Sequence, residues 1–411
     1  MNADRLYIVT VLPPTGETGV QTHFRTFCDI TKLTALKHIH IVSPYAANKV
    51  VRGLLFRIAK LAGYWDIGLQ DLYHRQFFYL LLYEQLYSAL RNRDTPAIIY
   101  AQDPVSAKAA LNLKRKGYRA EIVLAIHFNI SEAWELAIKG TLREGGRLWR
   151  EILQLEQEVI SGVDRLIFVS RFTEKAVLER IPTAARVPRW VIPNAVSDLP
   201  KSADCGIAGD LITIGTLEPR KNQGFLIRVL AAAHRLGHRY RLTIVGDGEC
   251  KNEIIELASM LGVQEYVTFT GYVPNARRLI WFHRAYVHAA LMESCPIVIL
   301  EALTDSKPIF AAPVGGIPEV FEDGVEGVYW NLDDPEVAAR VVIKVLEDKN
   351  VYEQMSNAAR RRYEKQFRTD VVAEAWLQAV LATSGRDNGV QILSNEPFGR
   401  IVGPGLGPIV W

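Results

Sequence analysis

Short apolar runs alternate with helix-period segments along almost the whole of this 411-residue sequence. That alternation is typical of parallel β-sheets covered by helices, and runs this rich in Val, Ile and Leu suit strands buried on both faces. The strands predicted in the first half are "RLYIVTVL", "KHIHIVSP", "PAIIYAQD", "EIVLAIHF", "DRLIFVS" and "RWVIPNAV". Those predicted in the second half are "LITIGTL", "YRLTIVGDG", "YVTFTGYV", "YVHAALM", "KPIFAAPV" and "EGVYWNL". They outnumber the strands of a single (β/α)₈ barrel, so the sequence predicts two sheets.

The alternation of strand-like and helix-like segments is interrupted once, in the polar stretch at 194–210. This stretch contains Pro and Gly, and we interpret it as a linker. The chain is also too long for one ordinary core. The predicted fold class is therefore α/β, with two doubly wound Rossmann-like domains facing each other across a cleft. The predicted segments are a first domain at 1–198, a second domain at 199–370 and a C-terminal segment at 371–411. Its last part, from 385, is rich in Gly and Pro, which predicts little regular structure.

Charge and cysteine content exclude several classes of protein. The 48 basic and 45 acidic residues are interspersed and give a formal charge of only +3, so we expect no nucleic-acid partner. The four cysteines are scattered and form no CxxC pair, which favours a reducing, cytoplasmic location over a zinc site or a secreted disulfide scaffold. The first residues do not resemble a signal peptide, and no uncharged apolar stretch is long enough to span a bilayer.

One segment could make peripheral contact with the inner face of a membrane. The stretch "QFFYLLLYEQLYSAL" at 76–90 is rich in aromatic residues and is flanked by Arg75, Arg91 and Arg93. Such a helix either packs in the core or lies in the interface of a membrane. We expect the core position, and keep the interfacial anchor as the alternative.

The stretch "ESCPIVILEA" at 293–302 carries the chemistry. It follows a predicted strand, and Pro296 suits the first turn of a helix. Helical side chains lean toward the N-terminus, so we expect Glu301 to point back to the loop that holds Glu293. The free amides of residues 295–298 form an anion site between these two carboxylates, which themselves suit sugar hydroxyls. The alternative is that Glu293 merely faces solvent in a loop and that Glu301 is a surface helix residue.

Other segments of the second half contain the polar and glycine residues expected around a nucleotide. In "GTLEPRKN" the adjacent cations Arg220 and Lys221 could hold a diphosphate, although such a turn is also common on protein surfaces. The turns "VGDGE" and "TGYV" follow strands and contain glycines, which let a base approach the backbone closely.

Taken together, these segments resemble the retaining GT-B glycosyltransferases of family 4, which transfer a sugar from a nucleotide-sugar donor. The resemblance rests on "IGTLEPRKN", "IVGDGE", "TFTGYV", "ESCPIVILEA" and "PVGGIPEVFEDGVEG", which follow one another in the family's order. It implies the GT-B fold, with the C-terminal helix at 371–411 crossing back to the first domain.

The resemblance also implies roles for residues of the second half. Glu301 corresponds to the glutamate that binds ribose hydroxyls, and Glu293 to the one that holds the transferred sugar. Lys221 corresponds to the diphosphate lysine; Thr216 stands where the family has an arginine, and Arg220 is expected to compensate. The loop and helix start are expected to take the β-phosphate, and three further residues to face the base. The loop residues are Ser294, Cys295, Pro296 and Ile297, and the base-facing residues are Gly246, Tyr272 and Val273.

The first half resembles the family less, as expected for a domain that binds a variable acceptor. In "PPTGETGVQTHF" the backbone at Gly16 is expected to approach the acceptor and that at Gly19 the donor phosphates, unless this is a plain turn. His127 in "LAIHFN" corresponds to the family histidine near the reacting sugar, although a histidine at a strand end is more often structural. Ser170 and Asn194 are expected to line the cleft, Ser170 on the acceptor side.

In "GGIPE" we expect the glycines to form a turn and Glu319 to begin a helix or line the cleft.

The family mechanism predicts a retaining hexosyl transfer with no cofactor, because the nucleotide sugar is itself a substrate. Helix amides and cations can offset the charge of the leaving phosphate, so no metal is expected; Asp333 and Asp334 read as a helix cap. UDP-glucose is the first expectation for the donor and GDP-mannose the second, with a saccharide or lipid-linked saccharide as acceptor.

Three alternatives remain open. A sugar-nucleotide epimerase of the same two-domain shape would need no acceptor. A non-catalytic nucleotide-sugar-binding protein would show no turnover. An NAD-dependent oxidoreductase is disfavoured, since no GxGxxG follows the first strand.

Overall fold

The computed structural model describes residues 5–13, 16, 19–32, 38–64, 67–91, 96–199 and 208–381 of the chain. The strands of the first half are β1 (Arg5–Val9), β2 (His38–Val42), β3 (Ala97–Ala101), β4 (Ala120–Ile126), β5 (Arg165–Phe168) and β6 (Arg189–Val191). Those of the second half are β7 (Gly209–Ile214), β8 (Leu242–Val245), β9 (Val267–Gly271), β10 (His283–His288), β11 (Ile309–Ala311) and β12 (Gly327–Tyr329). Each falls within or overlaps a predicted run, so the strand predictions are confirmed.

The helices of the first half are α1 (Gly19–Lys32), α2 (Lys49–Gly63), α3 (Ile67–Ala89), α4 (Pro104–Arg115), α5 (Glu132–Ile138), α6 (Arg147–Gly162) and α7 (Arg171–Arg180). Those of the second half are α8 (Gln223–Arg235), α9 (Lys251–Met260), α10 (Ile297–Thr304), α11 (Ile317–Val320), α12 (Pro335–Glu347), α13 (Lys349–Gln366) and α14 (Thr369–Leu381). Within the described residues none of these helices is long and apolar enough to cross a membrane.

The strands form two sheets of six, and every pairing in both is parallel. The orders are β2-β1-β3-β4-β5-β6 and β12-β11-β10-β7-β8-β9. Each sheet is covered by helices on both faces, as expected of strands without a polar face. The predicted fold class, two doubly wound Rossmann-like domains of the GT-B kind, is confirmed.

The helix α14 packs against the first sheet, although it is the last described element of the chain. Its Val372, Trp376 and Val380 pack in one buried cluster with Leu6, Ile8 and other residues of that sheet. The predicted return of the C-terminal helix to the first domain is therefore confirmed. The exact boundaries 1–198, 199–370 and 371–411 stay predictions, and most of the 371–411 segment, including the tail from 385, lies outside the described residues.

The aromatic stretch at 76–90 lies in α3 and its C-terminal end. Leu82, Leu86 and Leu90 are buried in the main core of the first domain, which confirms the core interpretation. Parts of its outer face are exposed, including Leu80 and Tyr87.

The order of the second sheet fixes where a ligand can bind. The strand β7 has β10 on one side and β8 on the other, so the chain changes its direction of growth at β7. The loops that follow β7 and β10 therefore run to opposite faces and leave a crevice at the carboxyl ends of these two strands. The segments that hold Lys221 and Glu293 are those two loops.

Candidate active site

The loops after β7 and β10 are tied to each other at Arg220. Its carbonyl oxygen accepts a hydrogen bond of 2.8 Å from the amide of Leu291, and its guanidinium donates one of 2.9 Å to the carbonyl of Met292. The guanidinium also donates bonds of 2.8 and 3.1 Å to Glu218. Burial alone would lower the pKa of Arg220, but Glu293 and Glu218 raise it, so the group is firmly cationic. It joins the two loops that line the crevice.

Glu293 is the centre of a buried charged cluster, with 7% of its surface exposed. Its carboxylate is paired with the Lys221 ammonium, accepts a hydrogen bond of 3.1 Å from Nε2 of His288, and lies 3.5 Å from Arg220. The alternative that Glu293 merely faces solvent in a loop is therefore wrong. Buried charges require partners, and here the cations come from the loop predicted to hold a diphosphate.

The protonation states of this cluster follow from its surroundings. Burial alone would raise the pKa of Glu293, but Lys221, His288 and Arg220 together lower it well below the ordinary range. Burial and the nearby cations lower the pKa of His288, against the pull of Glu293. Glu293 is thus ionised and His288 neutral near pH 7, with its Nε2–H donating to the carboxylate.

The helix α10 begins one residue after Pro296, with its first turn at the crevice. Cys295, Pro296 and Ile297 are buried, and Ser294 is half-buried. Burial raises the pKa of the Cys295 thiol to about 12, so this group is neutral. Its environment suits a loop whose backbone, rather than its thiol, faces a ligand.

Glu301 lies in the second turn of α10 and is partly exposed. Burial raises the pKa of Tyr286, a residue of β10, and the charge of Glu301 raises it further. The predicted position of Glu301 near the carboxyl end of β10 agrees with this. Its ribose-binding role stays a prediction.

Two glycines behind the loop after β10 permit close packing. A Cβ on Gly315 would lie 2.0 Å from the carbonyl oxygen of Glu293, and one on Gly316 would lie 1.8 Å from that of Ser294. The amide of Gly316 donates a bond of 2.8 Å to the Glu293 carbonyl. The predicted turn therefore packs directly against the backbone of the loop that follows β10.

The other predicted donor-site residues lie at the ends of neighbouring strands. Gly246 follows β8 with φ +138°, and a Cβ there would lie 1.9 Å from the Gly215 carbonyl oxygen, so only glycine fits. Thr216 is exposed, and its carbonyl accepts from Gln223 at 2.9 Å. Tyr272 has 66% of its surface exposed, whereas Val273 packs partly on the core of the second domain. Their contacts with a base stay predictions.

The first domain places His127 at the end of β4. Its Nε2 donates a hydrogen bond of 3.0 Å to Oε1 of Gln102, and its ring meets that of His23 edge-on at 4.7 Å. Burial, with a small effect of His23, lowers the pKa of His127 well below its ordinary value. His127 is thus a neutral group at the carboxyl edge of the first sheet.

The glycine loop after β1 is described only in part. Gly16 has φ +151°, and its carbonyl accepts from Arg25. Gly19 is the first residue of α1. Thr18 lies outside the described residues, so the approach of this loop to phosphates or acceptor stays a prediction.

Ser170 and Glu319 both cap the helix α7 where the two domains touch. The Ser170 hydroxyl is buried and accepts from the Thr173 amide at 3.2 Å. The Glu319 carboxylate accepts from the amides of Arg171 and Phe172, both at 2.8 Å. The hydroxyl of Ser170 is therefore engaged in the cap, and the structure gives its predicted acceptor role no support. Glu319 bridges the domains rather than only beginning its own helix.

Several residues of the cleft were missed from the sequence. His288 and Glu218 complete the charged cluster, and Glu135 of α5 lies on the opposite side, near Arg220 and Lys139. Burial raises the pKa of Glu135, against its hydrogen bonds with Asn129. A signal existed for His288, which lies in a predicted strand five residues before Glu293. No sequence signal pointed to Glu135, because only the packing of the fold brings this residue to the cleft.

The comparisons with known proteins agree with this geometry. Residues 208–362 match the family model "Glycosyl transferases group 1", and residues 66–198 match "Glycosyltransferase Family 4". Together the two matches cover more than half of the chain. The chain belongs to the family 4 glycosyltransferases of the GT-B class.

Relatives of this family 4 chain differ in their donors. It is 29% identical over 226 residues to a GDP-mannose-dependent α-(1-6)-phosphatidylinositol monomannoside mannosyltransferase of Mycobacterium tuberculosis, covering 52% of this chain and 58% of that one. The chain thus spans little more than half the length of such relatives. HepE of Anabaena, solved with UDP and with UDP-glucose, shares 17% identity, covering 92% of this chain and 100% of that one, with a TM-score of 0.67 in both. Sucrose-phosphate synthase of Thermosynechococcus elongatus shares 15% identity, covering 91% and 98%, with a TM-score of 0.70.

Proposed function

We propose that this family 4 chain is a retaining glycosyltransferase that moves a hexose from a nucleotide-diphosphate sugar to a hydroxyl of a saccharide or lipid-linked saccharide. The supporting observation is the buried cluster of Lys221, Glu293 and His288 beside the first turn of α10. The proposed role is in the synthesis of a cell-surface polysaccharide or exopolysaccharide, in the cytoplasm or at the inner face of the membrane.

The donor diphosphate would bind at the start of α10. Backbone N–H groups at a helix N-terminus attract anions, and the Lys221 ammonium has three donors. One of them is used by Glu293, which leaves the others for phosphate oxygens. Glu293, held ionised, would accept from hydroxyls of the sugar, because a carboxylate without protons can only accept.

The proposed reaction breaks the bond between the anomeric carbon and the phosphate oxygen and forms one to the acceptor oxygen on the same face. The acceptor proton passes to the leaving phosphate, so atoms and charge balance without a protein base. Negative charge grows on the phosphate as the bond breaks, and the helix amides with Lys221 stabilise it. The neutral His127 would position the sugar rather than take the proton.

The donor identity is a separate part of the proposal. UDP-glucose is favoured first, supported by the structural neighbour solved with UDP-glucose, and GDP-mannose second, supported by the mannosyltransferase relative. We propose that no metal takes part. Among the described residues no cluster of three or more His, Cys, Asp or Glu side chains could hold one. Activity that survives a chelator would support this.

The test is acceptor-dependent release of nucleotide from UDP-glucose and GDP-mannose by the full chain. The variants Lys221→Ala and Glu293→Gln are expected to lose about a hundredfold or more of turnover, about 2.7 kcal/mol of barrier. Lys349→Ala, which removes an exposed lysine paired with Glu353, serves as the control and should keep full activity. Unchanged turnover in both site variants would overturn the assignment. Release without any acceptor would favour an epimerase, and binding without turnover a non-catalytic protein.

A further inference from the structure

The helix α2 exposes an apolar face that the proposed chemistry does not use. The exposed fractions are 80% for Val50, 60% for Leu54, 40% for Ile58 and 61% for Leu61. These positions are spaced by four, four and three residues, which places them on one side of a helix. Tyr64, just past the helix end, is 78% exposed. An ordinary surface helix turns its polar side to solvent, so this face calls for a partner.

The charges of α2 indicate what that partner is. The helix carries four cations and no acidic residue: Lys49, Arg52, Arg57 and Lys60. Lys49, Arg57 and Lys60 are exposed beside the apolar face. The opposite side, with buried Ala59 and half-buried Leu55 and Phe56, holds the helix on the domain, where Phe56 packs on Phe78.

We propose that α2 is the surface by which this protein binds an anionic lipid bilayer. Cationic amphipathic helices lie in the interfacial plane, with apolar side chains among the acyl chains and cations at the headgroups. A neutral partner would leave these four cations unpaired, whereas an anionic bilayer supplies both negative headgroups for the cations and acyl chains for the apolar side chains. This moves the predicted membrane contact from the aromatic helix α3 to the helix before it.

The test uses vesicle flotation, which needs no enzymatic activity. The full chain should float with vesicles of about 30 mol% phosphatidylglycerol, much less with pure phosphatidylcholine, and binding should weaken above about 0.5 M salt. Leu54→Glu/Leu61→Glu should reduce binding at least tenfold while circular dichroism stays unchanged. The matched control Met260→Glu/Val337→Glu changes two exposed apolar residues of the second domain, and this variant should bind vesicles as the parent does.

Two results would overturn the proposal. One is binding that Leu54→Glu/Leu61→Glu leaves unchanged. The other is a wild-type dimer that becomes monomeric in that variant while neither protein binds vesicles, because the face would then be a contact between copies. Arg57→Gln/Lys60→Gln separates the two forces, since it should remove the preference for anionic lipid.

A second, independent observation concerns a buried chain of hydrogen bonds that links α14 to the donor loop. Trp376 Nε1 donates to the Tyr100 hydroxyl at 3.0 Å, and that hydroxyl meets Nε2 of His23 at 3.1 Å. Nδ1 of His23 meets Oδ1 of Asn194 at 3.0 Å, and Nδ2 of Asn194 donates to the Cys295 carbonyl at 2.8 Å.

The end of this chain at Asn194 and Cys295 fixes its direction. An indole nitrogen can only donate and a carbonyl oxygen can only accept. The amide oxygen of Asn194 must therefore accept from Nδ1 of His23, and the unprotonated Nε2 of the neutral ring must accept from the Tyr100 hydroxyl, whose oxygen accepts from Trp376. Burial lowers the pKa of His23 to about 4, which keeps the ring neutral. All four bonds are satisfied in one arrangement only.

The geometry points to Asn194 and His23 as positioning residues for the donor diphosphate, an inference that rests on the proposed function. Asn194 holds the Cys295 carbonyl toward the first domain. The partial negative charge of this carbonyl oxygen is thereby kept out of the anion site at α10. Neither residue needs to touch the substrate.

The test separates donor from acceptor kinetics. Asn194→Asp still accepts from His23 but cannot donate to Cys295, so kcat/KM for the donor should fall about tenfold while the acceptor KM stays unchanged. Trp376→Phe replaces the indole with a smaller aromatic ring and removes only the hydrogen bond at the far end of the chain, so the loss in donor kcat/KM should be smaller. A merely structural role would lower the melting temperature without the donor-specific loss. Unchanged donor kinetics in Asn194→Asp would overturn the inference, whereas a wild-type protein that binds no nucleotide sugar would overturn the proposed function instead.

Discussion

Glu319 of the second domain accepts a 2.8 Å hydrogen bond from the backbone amide of Phe172, at the start of a helix of the first domain. A carboxylate at a helix N-terminus satisfies free amides and interacts favourably with the helix dipole. Here the cap and the capped helix belong to different sheets, so this one side chain stabilises both α7 and the contact between the domains.

Removing this cap should weaken both. We expect Glu319→Ala to lower the free energy of unfolding by about 1–2 kcal/mol, and Glu319→Gln by less, because an amide oxygen still accepts one bond. Urea unfolding measures this. Glu322→Gln, an exposed acid nearby, is the control. An unchanged midpoint in Glu319→Ala would show that the bridge contributes nothing to stability.

The ion pair of Lys221 and Glu293 should show strong coupling in stability. Lys221→Met leaves a buried carboxylate short of its main partner and should cost about 3 kcal/mol or more. Glu293→Gln in the same chain removes that charge, so the double variant should regain part of the loss. A double-mutant cycle by chemical denaturation measures the coupling, and simple additivity of the two single variants would contradict it.

A methyl group behind the donor loop should disturb donor binding. Gly316→Ala places a Cβ against the Ser294 carbonyl, so the loop must shift. We expect nucleotide affinity to fall about tenfold, measured by calorimetry. Gly53→Ala, where a Cβ meets open space, should leave affinity unchanged. Equal affinity of Gly316→Ala and the parent would show that the site does not depend on this turn.

Acid should destabilise the protein through His23. Its pKa is lowered by burial from 6.5 to about 4, so between these values the unfolded chain binds a proton that the folded chain does not. The contribution of neutral, buried His23 to the free energy of unfolding is fully present above pH 6.5 and is lost as the pH falls toward 4. Its size is on the order of 3 kcal/mol. His23→Gln should show a flatter decline over this window. The free energy of unfolding is measured at each pH for both proteins. Parallel plots of this free energy against pH would contradict the assignment.

Much of the architecture could be predicted because it depends on local patterns. Strands buried on both faces leave apolar runs, and twelve such runs gave the two sheets. The same runs placed Glu293 and Lys221 each just after a strand, whereas only the structure shows that these two strands, β7 and β10, are neighbours.

What could not be predicted depends on contacts between distant segments. Glu135 and Glu319 reach the cleft or the domain contact only through the packing of the two domains, which no local pattern records. Ser170 shows the converse: a serine just after a strand suited a cleft residue equally well, and only the structure shows its hydroxyl engaged as a helix cap. The apolar face of α2 escaped notice because its periodicity resembles that of any buried helix.

The most direct measurement of the central claim is a crystal structure of the protein with UDP-glucose. The account predicts that the diphosphate lies against the first turn of α10, with the Lys221 ammonium on a phosphate oxygen and the Glu293 carboxylate on hydroxyls of the glucose. A diphosphate bound elsewhere, away from the crevice between β7 and β10, would contradict it.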